Sequence, residues 1–111
     1  MSQKKPMPMD EDALQLVARR FAVLGEPTRL RILQALMTGE RPVGEIVDAT
    51  GGTQTNISRH LQTLAATGLV ARRREGLQVF YAVADPMVHE LCALVCGGLR
   101  REFADRAARF G

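Results

Sequence analysis

The chain has 111 residues, 46% hydrophobic and 24% charged, with no Trp, one Tyr and four Phe; that fits one small domain with an aliphatic core. Fifteen Lys and Arg against twelve Asp and Glu leave a net charge of +3, a mild basicity compatible with a nucleic-acid partner. No apolar run approaches the ~18 residues of a membrane span, the polar stretch Met1–Met9 has no apolar signal core, and two Cys four residues apart make no secreted disulfide framework, so the expectation is a cytoplasmic protein with no membrane partner.

Residues 1–9 are expected to form a flexible tail, and residues 10–111 one domain. Asp10, Glu11 and Asp12 suit a helix N-terminus, where they oppose the dipole. Leu14, Val17, Ala18, Phe21 and Leu24 then recur at helical spacing up to Gly25, the pattern of an amphipathic helix. Glu26-Pro27-Thr28 starts a second helix, proline being favoured in a first turn, and its apolar residues run to Thr38 before Gly39. Pro42 opens a short third helix, Val43–Thr50, closed by Gly51-Gly52.

Thr53 is placed to cap a fourth helix, of about residues 53–67, through its side-chain oxygen. Ile57, Leu61 and Leu64 form its apolar line. Two β-prone runs over about residues 69–83 flank a charged tip, Arg72-Arg73-Arg74-Glu75-Gly76, and predict a hairpin. Asp85-Pro86 begins a last helix, of about residues 85–108, with Leu91, Cys92, Val95, Leu99 and Phe103 on one face. The fold class is therefore mainly α with a small β-hairpin, in the order α-α-α-α-β-β-α. Two short helices joined by a Gly turn and followed by a basic hairpin describe a winged helix-turn-helix.

The fourth helix carries the chemistry. With ~100° per residue, Thr55, Arg59 and Gln62 lie opposite Ile57, with Ser58 alongside. Gln54 and Asn56 sit in the first turn, where recognition helices meet base edges. These side chains are short and donate and accept hydrogen bonds, as major-groove reading requires. A plain solvated face is the competing reading, but solvated faces carry Glu and Lys in number, and Thr53–Leu69 contains no acid. His60 lies toward the core edge and reads as a structural histidine. In the hairpin, strand alternation sets Arg73 on the opposite face from Arg72 and Arg74; contact with phosphates competes with a role as a charged sheet edge. From Thr53 to Val83 four Arg stand against one Glu, which matches the whole net charge.

Leu24-Gly25-Glu26-Pro27-Thr28-Arg29-Leu30-Arg31-Ile32-Leu33 resembles the opening signature of the ArsR/SmtB family of bacterial regulators. Gln54-Thr55-Asn56-Ile57-Ser58-Arg59-His60-Leu61 is similar to its recognition-helix block, and Gly68-Leu69-Val70, the Arg-rich tip, Gly76 and Tyr81 resemble its wing. The resemblance spans about Leu14–Leu94. It implies a homodimeric repressor that joins through its first and last helices, binds double-stranded DNA at an inverted-repeat operator, and leaves when an inducer binds. A winged-helix protein-interaction module is the competing function; its recognition face should be more apolar or acidic. No nucleophile–base pair or phosphate-binding Gly loop argues for an enzyme.

The family's metal sites implied by the resemblance are not matched. The helices around Arg29–Met37 and Val43–Thr50 have no Cys, Asp85-Pro86-Met87 lacks the histidine of the last-helix zinc site, and Leu99–Gly111 has no histidine. Cys92 and Cys96 remain, an i, i+4 pair on one helical face, with His89 three residues before Cys92. Three readings stand for this pair: ligation of a soft metal or metalloid inducer with His89, a redox or reactive-sulfur switch, and simple packing of two small apolar side chains at the dimer interface. The sulfur-sensing members pair one such Cys with another nearer the N-terminus, which is missing here. Gly97-Gly98 weakens this helix, by roughly 1 kcal/mol per Gly.

Overall fold

A computed structural model describes residues 9–110. The expected tail lies outside the described residues except for Met9, which is exposed. Five helices and three strands follow in the order α1 (Glu11–Leu24), α2 (Pro27–Ala35), β1 (Arg41–Pro42), α3 (Val43–Thr50), α4 (Gln54–Ala66), β2 (Val70–Glu75), β3 (Gln78–Val83) and α5 (Met87–Phe110). This is a winged helix-turn-helix, mainly helical with a small antiparallel sheet.

Local chemistry sets most of these boundaries. Asp10 caps α1 by accepting from the Ala13 N–H at 2.8 Å, and Glu26 caps α2 through the Arg29 N–H at 3.1 Å. Thr53 caps α4 through the Asn56 N–H at 3.2 Å. Asp85 accepts from the Met87 N–H at 3.0 Å, so the last helix starts two residues after its cap.

The sheet departs from the expected lone hairpin. Arg41 and Pro42 form a third strand that pairs antiparallel with β3, Arg41 opposite Tyr81 and Pro42 opposite Phe80. The sheet order is β1-β3-β2. Two residues carry no alternation for a sequence pattern to register, and proline is tolerated because β1 is an edge. The second helix also ends sooner than its apolar pattern suggests. It stops at Ala35, and the Leu36 N–H is shared between the carbonyls of Ile32 and Leu33.

Ile32, Leu36, Ile46, Ile57, Leu61, Leu64 and Leu69 form the fully buried centre, joined by Tyr81 and Val88. The core thus lies among α2, α3, α4 and the sheet, and it fixes α4 by its inner face. The radius of gyration, 17.0 Å, exceeds the ~13 Å of a compact domain of this length. On the terminal helices the apolar side chains Phe21, Leu94 and Phe103 stay exposed.

Candidate nucleic-acid interface

The turn before α4 is fixed by sterics. Gly51 takes a left-handed conformation at φ 74°. A Cβ on Gly52 would stand 2.9 Å from Ile57 Cδ1, so the chain passes against the core side chain that anchors α4. With Ile57, Leu61 and Leu64 turned inward, Gln54, Thr55, Ser58, Arg59 and Gln62 share one shallow depression on the outer face. Gln54, Ser58 and Gln62 also floor a wider groove of about 610 Å³ whose far wall is the wing, through Arg72, Leu77 and Gln78. Glu45 and Asp48 of α3 border its other side, and Glu45 is paired with Arg41 at 3.2 Å. Asn56 is half-buried, and its Oδ1 accepts from Arg59 Nη2; the pair holds Arg59 at the helix N-terminal turn.

The wing separates its three arginines. Glu75 and Gln78 pair directly, leaving Gly76 and Leu77 as the turn. Gly76 sits at φ 61° and Leu77 has negative φ, the signature of a type II′ turn. Arg72 faces the groove beside α4. Arg73, on the other face, donates to both Glu40 oxygens at 3.0 and 2.8 Å and to Glu75 at 2.7 Å, and it stacks over Phe80 at 4.5 Å. Its hydrogen bonds and charge hold the Glu40 carboxyl below its ordinary range. Arg74 is exposed, with one bond to the Gly76 carbonyl at 3.3 Å. The alternation of the sequence is therefore visible: Arg72 meets the groove, whereas Arg73 is committed to two carboxylates.

His60 is buried, and Arg29 Nε donates to its Nδ1 at 3.2 Å. Its Nε2 lies 4.0 Å from Glu26 Oε2. Arg29 also donates to the Val23 carbonyl at 3.3 Å. The Glu-Pro-Thr-Arg segment thus holds the recognition helix from behind, a link that the sequence did not reveal because its partners are 31 residues apart.

Cys92 and Cys96 do come together, Sγ to Sγ at 3.4 Å. His89 is exposed, and among the described residues no three His, Cys, Asp or Glu side chains gather as a metal set. The expected trio of Cys92, Cys96 and His89 is thus a pair. Among the described residues no helix is long and apolar enough to cross a membrane.

A model of the family described as "Bacterial regulatory protein, arsR family" matches residues 26–72. The chain is 43% identical over 77 residues to the "Probable mercury resistance operon repressor" of Streptomyces lividans; the match covers 69% of this chain and 62% of that protein, under two thirds of its length. The crystal structure of Rv0081 from Mycobacterium tuberculosis superposes with a TM-score of 0.76 at 36% identity, covering 88% of this chain and 99% of that one. The homodimeric winged helix-turn-helix DNA-binding domain Mb0332 of Mycobacterium bovis gives a TM-score of 0.74 at 38% identity, covering 90% and 91%.

Proposed function

The chain belongs to the arsR family of bacterial regulatory proteins, and from that premise we propose that it is a homodimeric, sequence-specific DNA-binding repressor acting at an inverted-repeat operator. One observation carries this reading: the acid-free outer face of α4 and Arg72 of the wing line a single groove. The helix supplies donors and acceptors for base edges, and the wing supplies charge for phosphates. Gln54, Thr55, Ser58, Arg59 and Gln62 read the major groove, with Asn56 steering Arg59. Arg72 and Arg74 meet the backbone, and Arg73 holds the wing in place. Two-fold symmetry of the protein matches two half-sites.

The test uses a duplex selected from a random pool by the 111-residue chain. Gln54→Ala and Arg59→Ala should each weaken binding to it by about 1–3 kcal/mol, with the melting temperature unchanged. Unaltered affinity in both variants would place readout on another face. Binding should also fall steeply as salt rises; an interaction module with an uncharged interface would lack that slope.

Release by an inducer at Cys92 and Cys96 completes the reading. The 3.4 Å separation of the thiols on the last helix supports it, and the mercury-operon relative makes a soft, thiol-seeking inducer chemically reasonable. Cys92→Ser combined with Cys96→Ser should leave operator binding intact and remove release. Normal release in that double variant would reduce the thiols to packing.

A further inference from the structure

The apolar stripe of α4 gives the recognition helix a seat but not a bearing. Burial of Ile57, Leu61 and Leu64 is non-directional, so it resists withdrawal of the helix far better than a roll about the helix axis. Reading base edges needs that roll fixed. Side chains on the outer face stand about 5–6 Å from the axis. A roll of about 20° moves them by about 2 Å, whereas a hydrogen bond to a base edge tolerates about 0.5 Å.

A means of fixing the roll lies on the flank of the stripe. His60 is three residues after Ile57, so it leaves the helix about 60° round from the stripe. At that offset a directional bond acts with a lever arm. His60 Nδ1 accepts from Arg29 Nε at 3.2 Å. Among the described residues this is the only side-chain hydrogen bond that joins α4 to another helix. An accepting Nδ1 puts the proton of the neutral ring on Nε2, which faces Glu26 Oε2 at 4.0 Å. Arg29 is itself held. Its backbone N–H donates to Glu26 Oε1 at 3.1 Å, and its Nη1 donates to the Val23 carbonyl at 3.3 Å, in the last turn of α1. The planar fork of a guanidinium suits this double duty, whereas an ammonium is a point donor. Through Arg29 the middle of α4 is tied to the end of α1.

We propose that Arg29 and His60 are positioning residues for operator selectivity. Their bond sets the roll of α4 against the end of α1, and with it the register of Gln54, Ser58, Arg59 and Gln62 on the base edges. Both act from behind the helix, away from its outer face. The inference rests on the repressor reading and adds to it the pair that separates specific from non-specific binding. Attraction to phosphates is long-ranged and survives a small roll; bonds to base edges do not.

The experiment measures affinity for two duplexes, one selected from a random pool by the 111-residue chain and one scrambled from it. The temperature is one at which circular dichroism shows every variant folded. His60→Leu removes the acceptor without changing the net charge. It should bind the selected duplex about tenfold more weakly or worse and the scrambled one within about twofold of wild type. His60→Asn puts an acceptor back where Nδ1 stood and should regain the selected duplex to within about threefold of wild type. Arg29→Lys keeps the charge and should match His60→Leu. The two together should lose no more than either alone, since they break the same bond. Equal losses on both duplexes, or an Asn variant as weak as the Leu variant, overturn the positioning role and reduce His60 to packing. If wild type distinguishes the duplexes and His60→Leu does so equally well, the positioning role alone falls. If wild type does not distinguish them, the repressor reading falls and takes this role with it.

Discussion

The recognition helix and the last helix both carry an apolar stripe in the sequence, yet they end in opposite situations. In α4 the stripe of Ile57, Leu61 and Leu64 is wholly covered, each at 0% exposure. In α5 the stripe is covered only at its start, by Val88 and the half-buried Leu91 and Cys92. Further along, Val95 is 52% exposed and Phe103 62%. On α1, Phe21 is 66% exposed. Exposed apolar side chains gathered on one helix face mark an interaction site where they form a continuous patch. The half of the molecule proposed to face DNA is finished within one chain, while the terminal helices leave apolar side chains exposed for the second chain of the proposed dimer. An apolar stripe thus announces that a face must be covered without saying by what.

The largest effect should come from breaking the unfinished half. Leu99→Glu with Phe103→Glu places four charges in the proposed two-fold interface, because each substitution occurs twice. Burial of each such side chain is worth about 1.5–3 kcal/mol, so association should weaken by roughly 6 kcal/mol or more. Sedimentation at micromolar concentration should show a monomer in place of a dimer, and operator affinity should fall at least a hundredfold as one half-site is lost. The helical signal of α2–α4 should persist. A variant that stays dimeric would show that other surfaces make the contact.

The finished half should respond differently. Ile57→Ala removes a fully buried side chain and should cost about 2–5 kcal/mol in urea unfolding. The vacated volume adjoins Gly52, whose backbone is already close to Ile57. The melting temperature should fall but keep its dependence on protein concentration, because the dimer interface is untouched. Loss of that dependence in Ile57→Ala would mean that the two halves do not fold as separable packing units.

Much of this division was legible from residue order. The caps at Thr53 and Asp85, the acidic start of α1, the Gly turns and the 3.6-residue spacing act over a few residues, and the sequence displays such short-range signals directly. The groove face of α4 was legible for the same reason, as the side opposite Ile57. What escaped was long-range. The β1 strand is only two residues long and exists because β3 is there to pair with it. The bonds from Arg29 to His60 and from Arg73 to Glu40 join residues 31 and 33 positions apart, where no local pattern reports them. His89 shows the reverse case: its sequence spacing to Cys92 suits a shared site, but the side chain remains apart from the thiol pair.

The smallest effects test the comparison within the wing itself, between neighbouring arginines. Arg72 borders the α4 groove, whereas Arg73 is held by Glu40 and Glu75. Arg72→Ala should lower the salt slope of operator binding by about one per half-site. Arg73→Ala should leave the slope unchanged, since that charge is already spoken for. Acid titration sharpens the distinction. The hydrogen bonds from Arg73 lower the Glu40 carboxyl from its ordinary value of 4.5; burial opposes them, and the Arg73 charge adds a smaller lowering. A carboxyl that is more acidic in the folded state stabilises fully above its unfolded value. That contribution is lost as pH falls from 4.5 through the lower folded value. Glu40→Gln removes it at every pH, so the melting temperatures of wild type and variant should differ slightly at neutral pH and converge progressively as pH falls below 4.5. A gap that persists under acid would show that Glu40 holds the wing by shape and not by charge.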